Sequence, residues 1–311
     1  MKISLIIPVY NSADYLDTLI KSILAQSYKD YEVVFVNDGS EDNSLEILEE
    51  FKKEYPETDI KIISIKNSGP GVARRIGFEK SRGDLLFFVD SDDKLFNRDA
   101  LARANELFEK DNFDILFFNV LLAGEKQDEV SNCLYDKDIK AGIYDVDCLK
   151  DRKVGSAAWY KMFRRELMRS EDFVDGANFE DCFVTYKYLE RCQKFFFTTD
   201  IIYYANRKNC NSLTKKDNIP KIPATVDLLV RLYNETNLKS SVIIHIADYY
   251  LFARRRLDSQ KISKGKKNQM LCKLRQLSKI LKQQKGLVLR LDVKNKIKYI
   301  YYSIKDFVHA K

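Results

Sequence analysis

Four short, nearly uninterrupted apolar runs divide the first ninety residues: Lys2 to Val9, Tyr31 to Val36, Ile60 to Ile65 and Leu85 to Val89. Between them lie segments with helical spacing. Leu16, Leu19, Ile20, Ile23 and Leu24 form one amphipathic face, with Asn11 or Ser12 placed to cap it. Leu45, Leu48 and Phe51 suggest a second helix. A Gly-rich turn from Asn67 to Gly71 opens a third, which runs to about Lys80. Apolar strands alternating with helices predict an α/β fold with a mainly parallel sheet covered on both faces.

In such open sheets, ligands bind beyond the carboxyl ends of the strands. The rule selects Asp38, after the second run, and Asp90, Asp92 and Asp93, after the fourth. Carboxylates two residues apart on a turn can share a divalent cation, and such hard oxygen ligands favour Mg²⁺ or Mn²⁺ over zinc. The alternative is that they merely cap the next helix or punctuate a loop.

Further along, Leu101, Ala104, Leu107 and Phe108 read as a helix and Asp114 to Leu122 as a strand. Residues 123–156 carry no clear pattern. Ala157 to Phe163 reads as a strand, Asp181 to Cys192 as a helix and Phe195 to Tyr204 as a strand. Pro220 and Pro223 then punctuate the chain. Ala224 to Arg256 and Gln269 to Gln284 look helical, which places a boundary near residue 216.

The motifs I-I-P-V-Y-N, V-N-D-G-S, N-S-G-P-G-V-A-R-R-I-G-F and G-D-L-L-F-F-V-D-S-D-D follow one another over residues 3–95. In order and spacing they resemble those of the family 2 glycosyltransferases, inverting enzymes of the GT-A fold. The likeness thins toward residue 215 and is absent beyond it. It implies a GT-A catalytic domain over 1–215, with a nucleotide-sugar half to about residue 100 and an acceptor half after it. A basic, mostly helical region over 216–311 would follow.

By this resemblance Pro8, Val9 and Tyr10 would line the nucleotide pocket, and Asp38 would accept hydrogen bonds from uracil. Asn67 and Arg74 would contact the uridine and diphosphate. Asp90 and Ser91 would hold the ribose and donor sugar, with Asp92 as the direct metal ligand. Where the family usually has Asn, this chain has Arg75. Glu180-Asp181 looks like the family's E-D motif, so Asp181 would be the catalytic base and Glu180 a donor-sugar contact. The same two acids would otherwise simply favour a helix N-terminus. Trp159 would give an acceptor platform, with Lys161 and Arg164 structural. Arg207 and Ser212 would belong to a loop closing over the diphosphate.

The implied activity is transfer from a UDP-sugar to a saccharide or lipid-linked acceptor, with Mn²⁺ or Mg²⁺. The setting would be assembly of a cell-surface polysaccharide such as capsule, exopolysaccharide, lipopolysaccharide or teichoic acid. Two rival enzymes fit less well. A haloacid-dehalogenase-type phosphatase would want Thr or Val where Lys94 stands. A nucleotidyltransferase would want a Gly-rich basic loop in place of P-V-Y-N-S-A. A non-catalytic nucleotide-sugar- or polyanion-binding protein would lack Asp92 or Asp181, and both are present.

Charge sets the ends of the chain apart. Residues 251–311 hold 18 Lys and Arg against 3 Asp and Glu, a net of +15, which leaves 35 against 43, a net of −8, for residues 1–250. Leu271, Leu274, Leu277 and Leu281 among lysines, and the mixed run from Ile297 to Phe307, suggest basic amphipathic helices suited to an anionic membrane surface. A helical bundle packed on the catalytic domain is the alternative. No nucleic-acid-reading motif accompanies the charge. The six cysteines show no C-x-x-C spacing, and reduced thiols in a cytosol are expected. With no signal-peptide pattern and no apolar stretch near the roughly 20 residues of a membrane span, the expected place is the inner face of the cell membrane.

Overall fold

The computed structural model describes residues 1–284, apart from 125–126, 135–138, 151, 153, 178–179, 208–218 and 261. The four apolar runs are strands β1 (Ile3–Val9), β2 (Tyr31–Asp38), β3 (Asp59–Ile65) and β4 (Leu85–Phe88). They alternate with α1 (Ala13–Leu24), α2 (Ser44–Glu54) and α3 (Pro70–Lys80). All four strands run parallel, in the order β3-β2-β1-β4. Every residue of β2 is buried, as expected of a strand covered on both faces. Leu16, Leu19, Ile20 and Ile23 turn the apolar face of α1 onto the sheet.

The sheet continues with β5 (Lys94–Leu95), α4 (Ala100–Lys110), β6 (Ile115–Ala123), β7 (Glu129–Asn132), β8 (Gly142–Asp145), β9 (Lys161–Arg164), α5 (Glu180–Leu189) and β10 (Lys194–Asn206). Strand β9 lies antiparallel between β4 and β6 and joins the two parallel halves. β10 pairs with β6, β8 and β5. The predicted strand at Ala157–Phe163 is thus shorter. Ala158–Tyr160 forms a single 3₁₀ turn, and pairing starts at Lys161 opposite Phe117. β7 and β8 fall in the stretch where sequence offered no pattern.

The region after residue 218 comprises α6 (Ile222–Glu235), α7 (Lys239–Ser259) and α8 (Lys264–Gln283). The single helix expected over Ala224–Arg256 is therefore two. The break falls at Thr236, whose backbone is extended and whose hydroxyl accepts from the Leu238 N–H at 3.0 Å. The intervening Asn237 N–H donates to Glu190 Oε1 at 3.1 Å. Met270, Leu274, Leu277 and Leu281 of α8 are buried, and the helix packs against α6 and α7. The apolar face read as membrane-seeking is therefore turned inward over this stretch. Lys264, Lys266, Lys279 and Lys282 face solvent. α7 reaches back to the preceding region: Ser241 Oγ donates to Leu149 O at 3.0 Å, and His245 Nε2 lies 2.8 Å from Val154 O. The proposed boundary at residue 216 and the basic run from Ile297 to Phe307 lie outside the described residues. No described helix is long and apolar enough to cross a membrane.

At the amino ends of the strands, a fully buried carboxylate ties the first half together. Glu32 accepts from Ser4 Oγ at 2.7 Å, Lys61 Nζ at 2.8 Å, Gly83 N–H at 3.0 Å and the Arg82 N–H. Burial opposes the charge, yet these donors hold the carboxyl down to about 2. At the other end of β2 stands Asp38. The opposite ends of one strand thus carry a structural and a candidate functional acid.

Candidate active site

Asp38 ends β2, and Gly39 follows with φ of +67°, a left-handed backbone that glycine adopts without steric cost. A Cβ there would lie 2.8 Å from the Asn67 backbone nitrogen, so the two loops meet as closely as a glycine permits. The carboxylate of Asp38 accepts from the Ser68 N–H at 2.6 Å and the Gly69 N–H at 2.8 Å. These bonds fix its aim and leave lone pairs for a further donor. Asn67 is exposed beside it, and Val9 is buried with Pro8 and Tyr10 partly exposed at the end of β1.

The loop after β1 is braced from two sides. Asn11 accepts from the Glu41 N–H at 2.8 Å, and Ser12 N–H donates to Ser44 Oγ at 2.9 Å. Ser12 does not cap α1 with its side chain. Its hydroxyl lies 2.7 Å from Ser91 Oγ and also donates to Tyr10 O, while Asp42 receives the first helical N–H, that of Ala13, at 2.9 Å. Ser91, expected to touch the donor, is thus buried and spends its hydroxyl on Ser12.

The D-S-D-D turn divides its acids between two tasks. Asp93 is buried, accepting from Tyr203 O–H at 2.7 Å and from the Asn206 N–H at 2.7 Å. Burial, with Asp90 and Asp92 nearby, pushes its carboxyl well above the usual range. The Tyr203 oxygen also accepts the Asp90 N–H at 3.0 Å. Asp90 and Asp92 remain partly exposed. Tyr203 reads in the sequence only as part of a strand, and Asn206 falls beyond that strand's expected end at Tyr204. Trp159 stacks on Tyr203, ring centroids 5.2 Å apart and planes 9° from parallel. Replacing Tyr203 by Phe keeps that stacking and removes both hydrogen bonds. We expect a loss of about 1–3 kcal/mol. Chemical denaturation would check it, and unchanged stability would show that the turn holds its shape without the phenol.

Arg74, on α3, sits at the centre. Its guanidinium is buried, with Nη2 2.9 Å from Asp90 Oδ1, Nη1 2.8 Å from Asp181 Oδ1 and Nη1 3.7 Å from Glu180 Oε1. Its Nε is buried with no hydrogen-bond partner among the described residues. Burial works against the charge, but Asp181, Asp90 and Glu180 outweigh it and raise the guanidinium above its ordinary value. Gly71 lets this packing occur: a Cβ there would lie 2.8 Å from Val174 O and 3.2 Å from Glu180 Cγ. Arg75, the departure from the family pattern, lies one residue on and pairs at 3.7 Å with Glu79 on the same helix.

Glu180 and Asp181 open α5. Burial and then the neighbouring Asp181 charge push Glu180 up to about 7, while Asp181 is raised mainly by burial, against the pull of Arg74. Phe88, Phe163, Phe173, Val184 and Tyr188 line a small cavity, about 20 Å³, beside them. Lys161 is fully buried, its Nζ donating to Gly155 O at 2.9 Å, and burial pushes it down to about 8. Arg164 donates to Phe113 O at 2.8 Å. Arg207 is exposed at the end of β10, and Ser212 lies outside the described residues.

The acids suit one kind of cation. Asp93 is committed to Tyr203 and Asn206, and no cluster of three or more His, Cys, Asp or Glu among the described residues could hold a metal. Asp90 and Asp92 can offer one or two carboxylates, which is what Mg²⁺ or Mn²⁺ takes when substrate phosphates and water complete its shell. The donor set fits an ion assembled together with a diphosphate rather than a preformed cage.

A parallel α/β half with acids at its strand ends, joined through an antiparallel strand to a second half that brings a helix-borne carboxylate pair, is the GT-A arrangement. It coincides over its whole length with residues 1–349 of Staphylococcus aureus TarS solved with UDP-GlcNAc, at a TM-score of 0.62 and 20% identity, covering 81% of that chain. It also matches the Pyrobaculum calidifontis mannosyltransferase PcManGT, solved with GDP-Man and Mn²⁺, at 0.56 and 14%, covering 98% of this chain and 86% of that one. At these identities the likeness is one of fold. The model of glycosyl transferase family 2 matches residues 4–170, and the chain belongs to that family. Among curated relatives, the minor teichoic acid biosynthesis protein GgaA of Bacillus subtilis is 30% identical over 230 residues, 59% of this chain and 51% of that protein. The poly(ribitol-phosphate) beta-glucosyltransferase of Bacillus spizizenii is 29% identical over 209 residues, 66% of this chain and 32% of that one. The chain thus matches about half the length of the first relative and about a third of the second.

Proposed function

We propose that the protein is an inverting glycosyltransferase that moves a sugar from a UDP-sugar to a hydroxyl of a saccharide or lipid-linked acceptor in cell-surface polysaccharide assembly. The observation that carries the reading is the buried guanidinium of Arg74, bonded on one side to Asp90 of the D-S-D-D turn and on the other to Asp181. It puts a donor-side acid and a candidate base in one cluster. The teichoic-acid relatives favour a polyol-phosphate or related anionic polymer as the acceptor's setting. The UDP-GlcNAc-bound structural neighbour favours a UDP-linked donor.

In this reading Asp38, with Pro8, Val9, Tyr10 and Asn67, receives the uridine, and Asp90 the ribose and donor sugar. Asp92 would hold Mn²⁺ or Mg²⁺, which when bound offsets the negative charge on the departing diphosphate. Asp181 takes the proton from the acceptor hydroxyl as that oxygen bonds to the anomeric carbon, while the bond to the nucleotide breaks on the opposite face. Attack and departure on opposite faces invert the anomeric configuration, the geometry also used by inverting hydrolases. Glu180 contacts the donor sugar and Trp159 the acceptor. Residues 1–215 act as the catalytic unit, and the basic region from 251 onward meets an anionic membrane surface at the cytoplasmic side.

The test is the thermal midpoint with UDP and with UDP-, GDP-, dTDP- and CMP-sugars, each in Mn²⁺, Mg²⁺ or EDTA. At a hundredfold excess over Kd, a ligand bound only by the folded state adds about 2.7 kcal/mol. UDP and one UDP-sugar should raise the midpoint by several degrees, and only with metal. No shift with any nucleotide would overturn the proposal. Binding without transfer to any acceptor extract would favour a non-catalytic nucleotide-sugar-binding protein.

A further inference from the structure

Three acids, Asp90, Glu180 and Asp181, approach one guanidinium in a partly apolar surround. Carboxylates grouped this closely, against Phe88, Phe163, Phe173 and Val184, repel one another in a low-dielectric setting. Without a counter-ion, burial would push Asp181 further toward its protonated form, which cannot take a proton from an acceptor. The groups facing Asp181 are Arg74 from α3, Asp90 from the turn after β4, Lys161 from β9, and Glu180 and Tyr188 from its own helix. Of the two cations, Lys161 spends its ammonium on Gly155 O, whereas Arg74 bonds the carboxylate directly.

We propose that Arg74 is a positioning residue, the counter-ion of Asp181 and its tether to Asp90, so that the donor half and the base half of the site are oriented as one unit. This rests on the transferase reading, and it differs from a role for Arg74 in holding the nucleotide alone. The guanidinium is planar and forked, so one nitrogen serves each acid, which a lysine cannot reproduce. Among the described residues its buried Nε has no hydrogen-bond partner, and the two Nη groups are the ones bonded to the acids.

The experiment is the pH dependence of kcat at saturating donor and metal, in wild type, Arg74→Gln, Arg74→Lys and Glu180→Gln, with the thermal midpoint and UDP binding recorded for each. Removing the cation should move the acid limb of Arg74→Gln upward by at least one pH unit and lower kcat at pH 7 by tenfold or more. Arg74→Lys should restore most of the limb's position but less of kcat, because it keeps the charge and loses the fork. Glu180→Gln removes one competing negative charge and should move the limb the opposite way. A raised donor KM in Arg74→Gln, with every acid limb in place, would overturn the proposal and leave Arg74 a nucleotide contact. If Arg74→Gln does not fold, the downward shift in Glu180→Gln together with the behaviour of Arg74→Lys decides the matter, and limbs unmoved in both overturn it. Failure of the underlying reading looks different: wild type itself would transfer no sugar.

Discussion

Changing Asp181 to Asn should abolish transfer while leaving UDP and the UDP-sugar bound. The amide keeps the side chain's shape and one acceptor oxygen for Arg74, which now lies 2.8 Å from the carboxylate, but it cannot take a proton. General-base catalysis typically supplies 10²–10⁴-fold, so turnover should fall by about that factor. In the proposed reading the donor is held elsewhere, at Asp90 and at Asp38, which the Ser68 and Gly69 N–H groups hold in place, so the nucleotide-induced rise in thermal midpoint should persist. Joint measurement separates the cases. If turnover survives in the variant, another group is the base. If nucleotide binding is lost along with turnover, Asp181 belongs to the donor pocket.

The largest effect on stability should come from Glu32, at the far end of the same strand as Asp38. Glu32→Gln puts an amide among the Lys61 ammonium, the Arg82 and Gly83 N–H groups and the Ser4 hydroxyl, where only an acceptor suits. The native carboxyl is held down to about 2, from an ordinary value of 4.5. At 1.36 kcal/mol per unit, that difference corresponds to about 3 kcal/mol. Because the folded value lies below the unfolded one, the contribution is complete above pH 4.5 and is lost as pH falls toward 2. Urea denaturation should therefore show Glu32→Gln far less stable than wild type at pH 7, with the gap closing below pH 3. A gap independent of pH would mean that the variant suffers from packing rather than lost charge. Six residues of strand separate Glu32 from Asp38, about 20 Å, so the folded variant should still bind nucleotide.

How much of this was legible depends on where each residue's partner lies. β1, β2 and β4 were readable because strands buried on both faces announce themselves in local apolar runs, and the mostly half-buried edge strand β3 through its isoleucines. Asp38 and Asp90 stood out by falling at strand ends, and Asp181 by opening a helix. β7 and β8 were not readable, because they are mostly exposed antiparallel additions, such as Glu129-Val130, with no apolar stripe. The break between α6 and α7 contains neither Pro nor Gly, and its Asn237 is held by Glu190, 47 residues earlier. Tyr203 meets Asp93 across 110 residues, a pairing that no local pattern carries. Ser91 looked like a ligand contact through its neighbours, while its own partner is Ser12. The leucine stripe of α8 was read correctly as amphipathic, but what covers it is protein, from α6 and α7.

The bond from Tyr203 to Asp93 also bears on modularity. The D-S-D-D turn belongs by sequence to the first hundred residues, yet among the described residues its buried acid is satisfied by Tyr203 and Asn206, at the end of β10. A fragment ending near residue 100 would keep Asp38, Asp90 and Asp92 while leaving Asp93 without these two partners. Nor can the second half of the sheet be exchanged freely for another, since any replacement must return a phenol and a backbone N–H to the same two oxygens. Recombination of this chain is thus constrained at a seam far from its obvious midpoint, and chimeras that respect it should be the ones that keep the D-S-D-D turn in shape.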